Sequence, residues 1–201
     1  MKNFIRSLSF IFLFLGFQSF GQDNQEVLDV DPNQSEILWL AKKVTGQHNG
    51  HIMLKGGSII HSDGELKGGA FTVEMNTLKV DDIKNPGKNK KLVHHLKSKD
   101  FFETNQYPTA NFEITQVTPT GRPNIYRVSG NMSIRNQTQP MSFPVEWKKE
   151  GNRYTAKAYL IINRTKFGIT YKSGSFFDNL KNRAIDDNFK LDILIRTAEI
   201  L

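Results

Sequence analysis

Five histidines, two adjacent aspartate pairs and an arginine at the end of an apolar run are the residues of this chain whose types could hold a metal, move a proton or bind an anion. His48, His51 and His61 fall in one stretch, and His94 and His95 are neighbours. The odd spacing of His48 and His51 places them on opposite faces of a strand, which does not make one metal site. His48, set between Gly46 and Gly50, instead reads as a structural or rim hydrogen-bonding residue. Asp81-Asp82 and Asp186-Asp187 sit where loops are expected, and such acids cap or solvate more often than they catalyse. Arg164 is expected to pair with Asp186 or Asp187 and tie down a strand end, the alternative being an anionic headgroup contact. The chain has no nucleophile elbow, phosphate-binding loop or dinucleotide fingerprint, and no cysteine for a disulfide, thiol chemistry or acylation. No catalytic residue and no metal ligand is therefore assigned.

Most of the chain consists of the elements that would position such residues, and their rhythm is period two. Apolar Ala70, Phe71, Val73 and Met75 are interleaved with polar residues, as are Ala110, Phe112 and Ile114, then Tyr126, Val128, Met132 and Ile134, then Met141, Phe143, Val145 and Trp147, and finally Phe189, Leu191, Ile193 and Ile195. Only Leu194 breaks the pattern. Alternation of this kind gives a strand one apolar and one wet face. Less regular strands are expected at 35–43, 51–61 and 153–163, making about eight in all. Gly56-Gly57, Asp63-Gly64, Gly121-Arg122-Pro123, Asn136 and Gly151-Asn152 supply turn chemistry. Between Pro86 and Ser98, Leu92, Val93 and Leu96 recur at helical spacing opposite lysines, which predicts one short amphipathic helix. Eight amphipathic strands hide their apolar faces in a sandwich or a closed barrel, and spacing alone does not choose between them.

Lys2 and Arg6 precede an apolar run of about ten residues, half the length of a membrane-spanning helix, with small residues at Ser19 and Gly21. A signal peptide over 1–21 is expected, leaving one domain over 22–201 and no integral membrane segment. The formal charge of +7 becomes +5 once Lys2 and Arg6 are removed, too sparse for a nucleic-acid footprint and compatible with weak attraction to anionic lipid.

Asp100-Phe101-Phe102 followed by Tyr107-Pro108-Thr109-Ala110-Asn111-Phe112 strongly resembles the YceI-like family of exported lipid-binding proteins. In the family's order stand Gly46-Gln47-His48-Asn49-Gly50, the helix Lys91-Leu92 to Ser98, the hairpin from Val128 to Pro140, Asn163-Arg164-Thr165-Lys166-Phe167-Gly168-Ile169, and Ile185-Asp186-Asp187. The resemblance covers roughly 28–199. Two departures are Asn163, where many relatives have aspartate, and a long 172–184 loop that ends near Arg183.

The resemblance implies an all-β fold, a closed eight-stranded antiparallel lipocalin-like barrel with the helix near its mouth. It also implies a periplasmic or secreted, non-enzymatic binder that sequesters or carries a polyisoprenoid or similar long-chain amphipathic lipid. Pattern alone leaves open a core in which side chains fill one another; the resemblance favours an open lumen. The expected lining is Phe71, Val73, Met75, Phe112, Ile114, Val128, Met132, Ile134, Phe143 and Val145, with Leu92, Leu96, Phe101 and Phe167 at the helix and lid. No cofactor is expected beyond a bound isoprenoid or quinone-like lipid. Partners are that lipid and, as an open alternative, a second copy in a homodimer; nucleic acid is not among them. Lys88, Lys90 and Lys91 read first as a solvated face and second as contacts to a lipid headgroup. An enzyme acting on a bound isoprenoid, or a structural barrel with a filled core, are the alternative functions.

Overall fold

In a computed structural model, residues 24–200 are described, and the expected signal peptide lies outside them. Nine strands and one α-helix follow in chain order: β1 Gln25–Asp29, β2 Glu36–Lys43, β3 Gly46–Ser62, β4 Glu65–Glu74, α1 Pro86–Lys97, β5 Thr109–Pro119, β6 Ile125–Ile134, β7 Gln137–Glu150, β8 Arg153–Asn163 and β9 Ile185–Arg196. Every strand pair is antiparallel, and β3 pairs with β4 while β2 pairs with β9, so β2 to β9 close into an eight-stranded barrel. A closed barrel leaves no ladder edge within the ring.

β1 is an addition to the expected set. It runs along Ser58–Ser62 of β3, beyond the last pairing of β2 at Ile52, and occupies an edge that β2 is too short to cover. Its sequence carries little apolar signal because Val27 is exposed and Leu28 alone packs toward the core. β3 also begins five residues earlier than expected. The segment from Gly46 to Gly50 is polar and glycine-rich, yet its backbone is held in the ladder opposite Trp39 to Lys43. A side chain at Gly50 would collide with the Lys79 carbonyl oxygen and come within 2.7 Å of Trp39. That carbonyl accepts the Trp39 indole N–H at 3.1 Å and cannot move freely. Gly50→Ala is expected to cost about 2 kcal/mol in chemical denaturation. Gly56→Ala, with nothing within 4 Å, is expected to be neutral or slightly stabilising.

The alternation becomes continuous apolar rows running across neighbouring strands of the tube. Val145 pairs with Ala158, Ala158 with Ile193, Ile193 with Ile37, and Ile37 with Ile52. A second row runs Leu160, Leu191, Trp39, Gly50. Register shifts at Leu54/Gly56, Ile60/His61 and Ile114/Gln116 are the bulges that bend a sheet into a barrel, and the last explains why strict alternation in β5 stops near Thr115.

The two ends differ. At the floor end, two-residue loops at Asp63-Gly64 and Gly151-Asn152 turn the chain tightly. Trp147, 1% exposed, stacks on Tyr154 with ring centres 4.6 Å apart and donates its indole N–H to the Gly64 carbonyl at 2.9 Å. His61 is buried beside Tyr154 and lies opposite Glu26 of β1, 3.5 Å from its carboxylate. At the lid end stand the β2–β3 turn, the whole 75–108 segment with α1, the Arg135-Asn136 turn and the 164–184 connector.

Candidate functional site

The barrel encloses an apolar cavity of about 200 Å³. Its lining follows from the inward parity of each strand. β4 contributes Phe71 and Val73, with Met75 just beyond its end; β5 contributes Phe112 and Ile114, β6 Val128, Met132 and Ile134, and β7 Phe143 and Val145. Leu96 of α1 and Phe101 complete the expected residues that the structure brings together.

Two expected residues do not line the cavity. Phe167 is 2% exposed, but it is spent in the core beneath the 3₁₀ turn Arg164–Phe167. Leu92 is half-buried on α1, and it is Leu96, one turn later, that faces the lumen. The lining also includes residues outside the expected set: Ile37 and Trp39 on β2, Ile52 and Leu54 on β3, Leu160 and Ile162 on β8, and Phe189 to Ile195 at alternate positions of β9. These strands were legible, and the same parity that selected Phe112 selects them. Phe102, also outside the expected set, lines the cavity too, its ring 6.3 Å edge-on to Phe189.

Polar lining is confined to Asn111, Arg164 and Asp186. The Asn111 carbonyl group accepts from the Thr72 hydroxyl at 3.0 Å on the exposed face. The Asp186 carboxylate accepts the Asn188 backbone N–H at 2.8 Å. Arg164, 4% exposed, donates to the backbone carbonyls of Ile169 at 2.8 Å, Asp186 at 3.0 Å and Ile185 at 3.0 Å, and to the Asp187 carboxylate at 3.3 Å. The lumen thus presents hydrocarbon, with its few polar side chains already bonded to protein.

The Arg164–Asp187 pair fastens the 164–184 connector to the start of β9. Burial lowers the guanidinium's pKa and opposes ionisation of Asp187. The carboxyl nonetheless lies below its ordinary value, because hydrogen bonds from Ser173 and Ser175 and the charge of Arg164 outweigh that burial. A lowered folded-state pKa contributes stability above the unfolded value of about 3.9, and that stability is lost as pH falls through the folded value. The urea midpoint of Asp187→Asn is therefore expected to lie below wild type near neutral pH, and the gap to narrow as pH falls below about 4.

Two histidine–aspartate pairs pin the lid segment to β3, and a third joins α1 to the turn that follows it. His48 Nδ1 lies 2.9 Å from Asp82, His51 Nδ1 2.8 Å from Asp81, and His95 Nε2 3.0 Å from Asp100. Asp82 also accepts the Asn49 N–H at 3.2 Å; burial raises its pKa, but these hydrogen bonds leave it below the ordinary value. The adjacent aspartates are thus fasteners for the segment that leads into α1. Asn85 caps that helix, accepting from Lys88 N–H at 3.0 Å, and Pro86 opens it. Phe101 meets His95 and Tyr171 ring to ring at 5.0 and 5.4 Å, joining α1 to the 164–184 connector. Among the described residues, no group of three or more His, Asp and Glu side chains is arranged to hold a metal ion. No helix there is long and apolar enough to cross a membrane.

A family model described as a YceI-like domain matches residues 28–197. A UPF0312 protein of Photorhabdus laumondii is 39% identical over 57 residues, a stretch that makes up 28% of this chain and only 29% of that relative's length. Among solved structures, BcnA of Burkholderia cenocepacia superposes with a TM-score of 0.68 at 19% identity, covering 84% of this chain and 99% of that one. A polyisoprenoid binding domain from Saccharophagus degradans, implicated in plant cell wall breakdown, gives 0.61 at 11% identity over 86% and 98%. A YCEI protein of Campylobacter jejuni gives 0.52 at 13% identity over the full length of both chains. At these identities the structural likeness is one of fold.

Proposed function

This chain belongs to the YceI-like family, and from that premise we propose that it is an exported, non-enzymatic carrier that holds a polyisoprenoid or similar long-chain amphipathic lipid in its barrel. The observation that carries the reading is the closed tube of apolar side chains around a cavity of about 200 Å³, whose polar lining residues are already engaged by protein. A solved relative of the same fold is described as binding polyisoprenoid. Each carbon that leaves water contributes roughly 0.8 kcal/mol, so the stretch of chain held in the lumen supplies binding energy without a polar anchor. Met75 and Met132 give the wall adaptable surface for a methyl-branched chain. An enzyme acting on a bound lipid would need a free acid, base or donor facing the lumen, and the bonded state of Arg164 and Asp186 favours carriage instead.

The test is organic extraction of purified protein followed by mass spectrometry, with uptake of a fluorescent polyprenol by the extracted protein alongside. A long-chain lipid in near-stoichiometric amount is expected. Clean extracts from several expression hosts together with no polyprenol uptake would sink the carrier reading. Export is tested separately by sequencing the N-terminus of the protein recovered outside the cytoplasm, which is expected to begin at Gln22.

A further inference from the structure

The lid end differs from the floor end in charge as well as in shape. The four connectors of the lid end carry thirteen lysines and arginines against five carboxylates. The floor-end connectors, with the C-terminal residues after β9, carry Arg122 against Asp31, Asp63 and Glu199. Of the thirteen cations only Arg164 is buried. Four of the five lid-end carboxylates are already engaged: Asp81, Asp82 and Asp100 by histidines and Glu103 by Arg135 at 3.1 Å. Lys84, Lys88, Lys90 and Lys91 are exposed around α1 and form no ion pair among the described residues.

Apolar side chains break the surface at the same end. Val44 in the β2–β3 turn is 62% exposed, and Phe176 and Phe177 in the 164–184 connector are 57% and 50% exposed. The other large exposed apolar residues stand on strands along the barrel wall. The two phenylalanines are not on a free loop. Their backbone N–H groups both donate to the Ser173 carbonyl, at 3.2 and 3.0 Å, and the Ser175 hydroxyl donates to Asp187 at 2.6 Å. The Val44 N–H donates to the Ala184 carbonyl at 3.2 Å, so the turn and the connector form one bonded rim. Exposed aromatic rings on a bonded backbone, at the same end of the barrel as unpaired lysines, are the composition of a surface that inserts shallowly between lipid headgroups, the cations attracting an anionic leaflet.

We propose that the lid end docks on anionic lipid bilayers, with Phe176, Phe177 and Val44 entering the headgroup layer and the lysines of α1 lying over phosphate groups. The inference rests on the carrier reading for its purpose, since cargo in a floored barrel passes through this end. It is nevertheless measurable without cargo.

Flotation with vesicles of phosphatidylethanolamine and phosphatidylglycerol, against vesicles of phosphatidylcholine, reads the docking directly. Recovery on the anionic vesicles is expected to be at least about tenfold higher, and to collapse between about 0.15 M and about 1 M salt as the screening length falls from about 8 to about 3 Å. The triple variant Lys88→Glu, Lys90→Glu, Lys91→Glu and the double variant Phe176→Ser, Phe177→Ser are each expected to lose about tenfold or more. Arg122→Glu with Arg127→Glu, toward the floor end, serves as the control and is expected to bind like wild type. No flotation of wild type, or equal losses from both ends, would overturn docking. Flotation by a protein whose extracts are lipid-free and which takes up no polyprenol supports docking while sinking the carrier reading; lipid-laden protein that never floats does the reverse.

Discussion

Ala158→Trp is expected to yield a folded barrel that carries less than about one tenth of the wild-type lipid. Ala158 sits between its strand partners Val145 and Ile193 and lines the cavity, so an indole there projects into the space a hydrocarbon would occupy. Overpacking a filled core costs about 1–3 kcal/mol, and an indole entering open volume falls at the lower end. For a domain of this size that corresponds to a fall in Tm of about 2–4 °C per kcal/mol. Ile161→Trp supplies the control, since Ile161 is on the same strand, points outward and is already exposed. Lipid extracted from both variants at the wild-type level would mean that the guest does not reside in the lumen.

Arg164→Ala is expected to have the largest effect on stability, about 3–5 kcal/mol in urea or guanidinium unfolding. One guanidinium serves three backbone carbonyls and a carboxylate at a site almost closed to water. Its removal leaves those acceptors unpaired and Asp187 without its countercharge, and such losses exceed the net worth of the bonds themselves. With a total stability of about 5–15 kcal/mol, this is about a fifth or more of the margin. Arg164→Lys keeps the charge but not the fork of donors, so it is expected to recover only a minor part. An Arg164→Ala protein with a wild-type midpoint would show that the connector is held by its packing alone.

What the sequence discloses depends on where each partner is encoded. The five regular runs and the helix were legible because each inward residue meets the same apolar lumen, leaving its mark at every second position. β1 was not, since a strand laid against the flank of β3 needs only Leu28 to pack and takes the rest of its hold from backbone bonds. The pairing of Arg164 with an aspartate was readable as complementary charge; its three carbonyl acceptors were not, because backbone acceptors carry no residue code. The same holds for His48 with Asp82 and His51 with Asp81, which lie about thirty residues apart in the chain and meet only after β3 and the lid segment align. Leu92 and Phe167 were assigned by helical spacing and by motif. Both rules identify apolar residues of the right region without fixing which way a helix or a 3₁₀ turn rotates them.

The stacked rings of Trp147 and Tyr154, both buried, stand at the floor end of the tube. A linear molecule threaded into it reverses out along its own path, and every carbon drawn back into water adds about 0.8 kcal/mol to the climb. The barrier to leaving rises with the length swallowed, and residence time is expected to lengthen about fourfold with each added carbon.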